Sequence, residues 1–143
     1  MSEFAVAIRP RYSEVDSMGV VYHANYLVYF DVARTEWLRS AGADYAALER
    51  RGFRLAVVDL AVRYLLPAHF DDELSLAVWL TELRRASVTF RYSLRNGDGQ
   101  VLCDGHTRLG CLNRENRPTR LPADTLKTLE EGRLATAVAS EDP

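Results

Sequence analysis

The sequence predicts an α+β fold: a curved five-stranded antiparallel sheet wrapped around one long central helix. Three observations carry this. A segment beginning at Tyr26 has helical periodicity and is apolar on nearly every side over its first half. Five other stretches repeat with a period of two, the mark of strands. Their order is one strand, the long helix, a short helix, then four consecutive strands. Consecutive strands with short connections are expected to be antiparallel neighbours. A helix without a polar face is expected to be enclosed by other structure. A sheet curved around a helix satisfies both in one layered arrangement.

The elements follow in order. Residues 3–12 alternate, with Phe4, Val6 and Ile8 on one face and Ala5, Ala7 and Arg9 on the other. Pro10 ends that strand or marks it as a sheet edge. The loop 12–24 comes next. Asn25 is the expected N-cap of a helix from about Tyr26 to Ala41. Tyr26, Phe30, Ala33, Trp37 and Ala41 recur at steps of four and three, one helical face. From Tyr26 to Ala33 only Asp31 is polar, whereas Arg34, Glu36 and Arg39 bring the second half into solvent. Gly42 is a natural stop. Residues 43–51 read as a short helix ending at Gly52. From Phe53 the period becomes two. Ala56, Val58, Leu60, Val62, Tyr64 and Leu66 share one face, and Asp59 and Arg63 dot the other. Leu74, Leu76, Val78 and Leu80 give the next strand, and Val88, Phe90, Tyr92 and Leu94 the one after. Asn96-Gly97-Asp98-Gly99 is a hairpin signal, since both glycines tolerate positive φ. Val101, Cys103, Gly105, Thr107, Leu109 and Cys111 form the last strand. Residues 114–122 are loop, a final helix runs from Ala123 to about Leu134, and the tail 135–143 is expected to fray.

At 143 residues the chain is expected to be one domain, 1–143. A chain of this size buries roughly 70% of its unfolded surface and needs no staples. Hydrophobic residues at 48% and charged residues at 27% are ordinary for a soluble protein. A net charge of −2 argues against general nucleic-acid binding. Cys103 and Cys111, on one strand, stand about 25 Å apart by strand rise. They cannot bond to each other, and free buried thiols suit a reducing compartment. No apolar run is long enough for a membrane span, and MSEFAVAIRP lacks the apolar core of a signal peptide. A cytoplasmic protein is expected. One helix cannot cover both faces and edges of a five-stranded sheet, so edge pairing with a second copy is expected.

The chemistry centres on the loop before the long helix. Asp16 precedes Gly19, whose freedom at positive φ allows a tight turn and the close approach of a ligand. The segment Val20 to Ala24 then leads to a helix start, where backbone N–H groups are unpaired and the dipole is positive. Those donors are suited to polarising a carbonyl and holding an oxyanion. A carboxylate just upstream can attack such a carbonyl or activate water. The simpler reading is that Asp16 caps its own turn, and the residues alone leave both open. A lone histidine beside a helix start, such as His23, is more often structural than catalytic. His23, His69 and His106 have no ligand spacing with one another or with the cysteines, so no metal site is expected. Neither a Gly-rich phosphate loop nor a G-x-S-x-G elbow occurs. Glu14 reads as solvated or paired with a nearby arginine. Arg84 and Arg85 beside Ser87, and Arg114, Arg117 and Arg120 after the last strand, read by default as solvated surface. Clusters near strand ends can also hold phosphates.

The run Tyr12-Ser-Glu-Val-Asp16-Ser-Met-Gly19-Val-Val-Tyr22-His23-Ala-Asn25-Tyr26, followed by Phe30 and Ala33-Arg34, resembles the hotdog-fold acyl-CoA thioesterases. It is most similar to the 4-hydroxybenzoyl-CoA thioesterase family, including the branch associated with the Tol–Pal envelope system. The resemblance covers about residues 5 to 122 and includes PAHFDDEL, RRASVTF and RPTRLP. It implies hydrolysis of an acyl-CoA to free acid and CoA, with Asp16 as the catalytic carboxylate and Tyr12 and His23 lining the site. His23 in place of an aromatic residue inclines the chain to the acyl-CoA branch. The backbone N–H of His23 becomes the oxyanion donor. Gly19, Val20, Tyr22, Asn25 and Tyr26 become substrate-binding residues, and Arg84, Arg85, Ser87 and Arg117 candidates for CoA. The resemblance further implies sites shared across a homodimer, often paired into a tetramer, and no cofactor beyond the CoA of the substrate. A dehydratase acting on 3-hydroxyacyl thioesters and a non-catalytic acyl-thioester or partner-binding module are the alternatives.

Overall fold

The structure, a computed structural model, describes residues 2–137. In chain order the elements are β1 (Ser2–Glu3), β2 (Ala5–Ile8), a 3-10 turn (Tyr12–Glu14), α1 (Asn25–Ser40), α2 (Tyr45–Arg50), β3 (Arg54–Tyr64), β4 (Leu74–Leu83), β5 (Ser87–Arg95), β6 (Val101–Leu112), α3 (Ala123–Ala135) and β7 (Thr136–Ala137). Five strands form one antiparallel sheet in the order β2-β4-β5-β6-β3, and β1 pairs with β7 in parallel. Residues 138–143, most of the tail expected to fray, lie outside the described residues.

The α+β architecture is the one expected, but the sheet order is not wholly sequential. Tight turns make β4 a neighbour of β5, and β5 of β6. β3 lies at the far edge, paired with β6 alone, rather than beside β4. The 65–73 connection therefore crosses one end of the sheet. It carries Ala68 and His69 to the loop before α1, where Val20 bridges His69 and the Val21 N–H donates to the Ala68 carbonyl at 2.8 Å. The alternation in β3 is also interrupted. A bulge between Val57 and Asp59 breaks the register, so Ala56 and Val58 do not share a face with Leu60 as the simple period implied. Regular pairing of β2 ends at Ile8, short of the buried Pro10, and β2 is indeed an edge strand.

The core lies between α1 and the concave sheet face. Tyr26, Tyr29, Phe30, Ala33 and Trp37 pack against Leu74, Leu76, Val78, Leu80, Val88, Phe90, Tyr92 and Leu94. Phe30 stacks on Tyr92 with ring centroids 4.2 Å apart, and Trp37 meets Phe90 edge-on at 5.3 Å. Phe30 approaches the sheet this closely because residue 105 is glycine. A Cβ there would lie 3.2 Å from the Phe30 ring and would collide with the Ala61 carbonyl oxygen.

Enclosure of α1 is incomplete within one chain. Val28 and Val32, one turn apart, are 52% and 43% exposed. The helix leans on β4 and β2, leaving this apolar strip open. At its C-terminus Gly42, at φ +87°, ends the helix as expected. At its N-terminus the expectation fails. Asn25 is the first helical residue, Ala24 occupies the cap position, and the Asn25 side chain donates to the Glu14 carbonyl at 3.0 Å.

Candidate active site

Residues 14–22 form a small hairpin. The Asp16 N–H donates to the Val20 carbonyl at 2.8 Å, Val15 bridges Val21, and the Tyr22 N–H donates to the Glu14 carbonyl at 2.9 Å. The turn closes with the Gly19 N–H on the Asp16 carbonyl at 2.9 Å, and Gly19 takes φ +82°. An L side chain there would meet no neighbouring atom, so the glycine is required by backbone conformation rather than by space. Pairing of Val20 and Val21 with the 68–69 segment adds a third strand and fixes the hairpin to the end of the main sheet.

Asp16 sits at the exposed tip. Its Oδ1 accepts the Met18 N–H at 2.8 Å and the Val20 N–H at 3.4 Å. This is the turn-capping role. Among the described residues Oδ2 has no hydrogen-bond partner. One oxygen holds the turn while the other remains available.

The hairpin returns directly to the start of α1. The Asn25 N–H donates to the Tyr22 carbonyl at 2.8 Å, but among the described residues nothing accepts the N–H of His23 or Ala24. The His23 peptide is oriented from the other side, where the Tyr64 hydroxyl donates to its carbonyl at 2.8 Å. Beneath it, Tyr26 is buried, accepts the Ala68 N–H on its hydroxyl at 3.2 Å, and meets Tyr64 edge-on at 5.2 Å. The arrangement thus holds an accessible carboxylate, free N–H donors at the end of a 16-residue helix, and an aromatic floor. It is suited to attack on a carbonyl whose oxygen gains charge.

Glu14 is not the solvated surface group its position implied. Its side chain is 13% exposed and accepts the Tyr29 hydroxyl at 2.8 Å, the Arg11 N–H at 2.8 Å and Arg11 Nε at 3.2 Å. The expected pairing with an arginine is present. Burial pushes this carboxyl up, but the Arg11 N–H, the Tyr29 hydroxyl and the Arg11 guanidinium together hold it below the usual carboxylate range. Burial, followed by the bond to Glu14, pushes the Tyr29 phenol well up.

Residues 10–129 match the thioesterase-like superfamily. The chain belongs to that superfamily. Over 120 residues it is 31% identical to the acyl-CoA thioester hydrolase YbgC of Escherichia coli O6:H1, covering 83% of this chain and 90% of that protein. It is 31% identical over 109 residues to the putative acyl-CoA thioesterase YneP of Bacillus subtilis, covering 76% of this chain and 79% of that protein. The solved DHNA-CoA thioesterase of Staphylococcus aureus superposes with a TM-score of 0.87 at 30% identity, covering 92% of this chain and 91% of that one. The sheet and helix of this thioesterase-like chain are the hotdog arrangement.

Other residues picked out by sequence stand in different relation to the site. Tyr12 is 78% exposed and meets the ring of Phe70 edge-on at 5.6 Å, at the rim. Tyr22 and His23 are exposed neighbours with ring centroids 4.4 Å apart. Arg84, Arg85, Ser87 and Arg117 are not beside Asp16 in the same chain. The Arg84 N–H donates to the Ser87 carbonyl at 2.8 Å, and the Leu121 N–H donates to the Arg85 carbonyl at 2.8 Å. Ser87 pairs with Gly110, and Arg54 with Leu112, so this cluster lies at the Arg54 end of β3. The Asp16 hairpin lies at the Tyr64 end, roughly 30 Å away by strand rise. Glu14, Tyr29, Tyr64 and Phe70 escaped the sequence reading of the site. Only the tyrosine-rich start of α1 and the PAHFDDEL stretch hinted at them. Among the described residues no group of three or more His, Cys, Asp or Glu is arranged to hold a metal, and no helix is long and apolar enough to cross a membrane. Cys103 and Cys111 are buried and free, with burial, and secondarily Asp104, pushing the Cys103 thiol up to about 12.

Proposed function

We propose that this chain is an acyl-CoA thioesterase whose catalytic carboxylate is Asp16 and whose oxyanion donor is the N–H of His23. The reaction class, thioester hydrolysis, rests on the superfamily and on relatives named for it. The observation that carries the residue assignment is the pairing of an exposed carboxylate, with one oxygen unengaged among the described residues, and N–H groups that find no acceptor among them at the start of α1. Water, activated by Asp16, adds to the thioester carbon, or Asp16 adds first and water cleaves the anhydride. In either course a C–O bond forms, the C–S bond breaks, and CoA leaves as a thiolate. A thiol with a pKa of about 8.5 gives a weakly basic thiolate, so the leaving group needs little acid assistance. His23 and Tyr12 line the approach, with Gly19, Val20, Tyr22, Asn25 and Tyr26 shaping the acyl end. No cofactor is called for, since CoA is part of the substrate.

A homodimer completes this reading. The β3 edge is eleven residues long and carries the exposed side chains of Val57, Val58, Leu60 and Tyr64. The opposite edge, β2, has only four residues. Long apolar edges invite pairing. Antiparallel pairing of two β3 strands about a two-fold axis sets the Arg54 end of one chain against the Tyr64 end of the other. The partner's Arg84, the partner's Arg85, the partner's Ser87 and the partner's Arg117 then stand on the side of Asp16, suited to CoA phosphates. The open Val28–Val32 strip of α1 is further apolar surface left for a second copy, and pairing into a tetramer would use other surfaces. Buried free thiols fit a cytoplasmic location.

The test is incubation of the purified protein with short, long, aromatic and 3-hydroxyacyl-CoAs. Release of free thiol without enoyl absorbance is expected. Enoyl absorbance would mark a dehydratase, and tight binding without thiol release a binding module.

A further inference from the structure

We propose that Glu14 is the positioning residue that sets Asp16 against the start of α1, and that it acts through Tyr29. This rests on the reading of Asp16 as the catalytic carboxylate. Asp16 follows Glu14 by two residues, and its turn projects into solvent. The other half of the site, the His23 N–H, follows Tyr22 by one residue. Both halves are referenced to Glu14. Its carbonyl accepts the Tyr22 N–H at 2.9 Å and the Asn25 side-chain amide at 3.0 Å. Its carboxylate accepts the hydroxyl of Tyr29, a 4% exposed residue of α1, and two donors from Arg11 just beyond β2. One residue thus ties the strand exit, the hairpin return and the helix together at the root of the catalytic turn.

A carboxylate is the side chain suited to this. It accepts several donors at once, and bonds to its charged form are roughly twice as strong as neutral ones. An apolar residue would leave the buried Tyr29 hydroxyl and the Arg11 N–H unpaired. Glu14 lies beneath the hairpin, mostly buried, whereas Asp16, Tyr22 and His23 are exposed. It therefore acts on catalysis by holding geometry, and a misplacement of about 1 Å in a reacting group costs on the order of 10²-fold in rate.

Tyr29→Phe removes the one hydroxyl and keeps the ring in the core, and Glu14→Gln keeps the shape and removes the charge. Both are measured by thiol release and by amide hydrogen exchange, in otherwise native protein and in an Asp16→Asn background, with folding checked by thermal melting. We expect Tyr29→Phe to lower kcat about tenfold with KM within about twofold, following the positional sensitivity above. Exchange at the Met18 and Val20 amides should accelerate while the amides of β5 and β6 do not change. In the Asp16→Asn background the same change should cost no further activity, because the group being positioned is gone. An unchanged kcat, unchanged exchange, or an equal loss in both backgrounds would overturn the positioning role. A wild-type protein without thiol release, or a fully active Asp16→Asn, would instead overturn the Asp16 reading and this proposal with it. A Glu130→Gln control, which removes a carboxylate paired within α3, should leave kcat unchanged.

Discussion

Asp16 uses its two carboxylate oxygens differently, one to hold its turn and one left without a partner among the described residues. The turn-cap and catalytic readings of this residue are therefore compatible rather than rival. Asp16 could be picked out as a candidate because the spacing of Tyr12, Asp16, Gly19 and His23 is local. Glu14 was not, because its decisive partner, Tyr29, reaches back from fifteen residues along the chain. Alternation and charge patterns report a residue's own neighbourhood and carry no trace of such a return. Its depressed carboxyl has a consequence for stability. A folded value below the unfolded one adds stability at pH above the unfolded value, and that increment is lost as pH falls through the folded one. Between neutral pH and about pH 3.5, below the ordinary glutamate value, the wild type should lose more stability than Glu14→Gln, measured as the shift of the urea midpoint. An equal loss in the two proteins would show that Glu14 gains nothing from its buried bonds.

Elements were read with uneven success, for physical reasons. The end of α1 at Gly42 and the α2 boundary at Gly52 were legible because glycine at positive φ is a local stop. In the β5–β6 hairpin only Gly99 takes positive φ, the Asn96 side chain organising the rest by accepting the Asp98 and Gln100 N–H groups at 3.0 Å each. The start of α1 was misread because Asn25 resembles a cap by type, yet its side chain is spent on the Glu14 carbonyl. β3 was misplaced because strand neighbours are chosen across the sheet, and the β4–β5–β6 turns leave β6 free to take β3. That displacement makes β3 the long exposed edge. If it is the dimer seam, Leu60→Lys, which puts a charge on an apolar edge residue, should convert the protein to monomer in sedimentation velocity. Activity should fall in step, because each site draws on the second chain. A dimer of undiminished activity would remove β3 from the interface.

At the scale of the whole molecule, one end of the sheet gathers the Asp16 hairpin, the 65–73 crossing and the start of α1, and the other gathers the arginines of the 84–87 turn and the 113–117 loop. A single chain separates catalytic and phosphate-binding candidates by the length of a strand. The proposed two-fold axis through β3 would bring them together, and on that proposal the catalytic end depends on assembly as well as folding. Sequence alone conveyed the long, largely buried helix and its place against the sheet, but not which end of the sheet each candidate cluster occupies, since that follows from the strand order. All of this rests on Asp16 as the group that acts on the thioester. The most direct measurement is steady-state thiol release at saturating acyl-CoA by the wild type and by Asp16→Asn, with circular dichroism and dimer mass confirmed unchanged. A fall in kcat on the order of 10²-fold or more is predicted. Turnover near that of the wild type in a folded, dimeric Asp16→Asn would contradict the assignment.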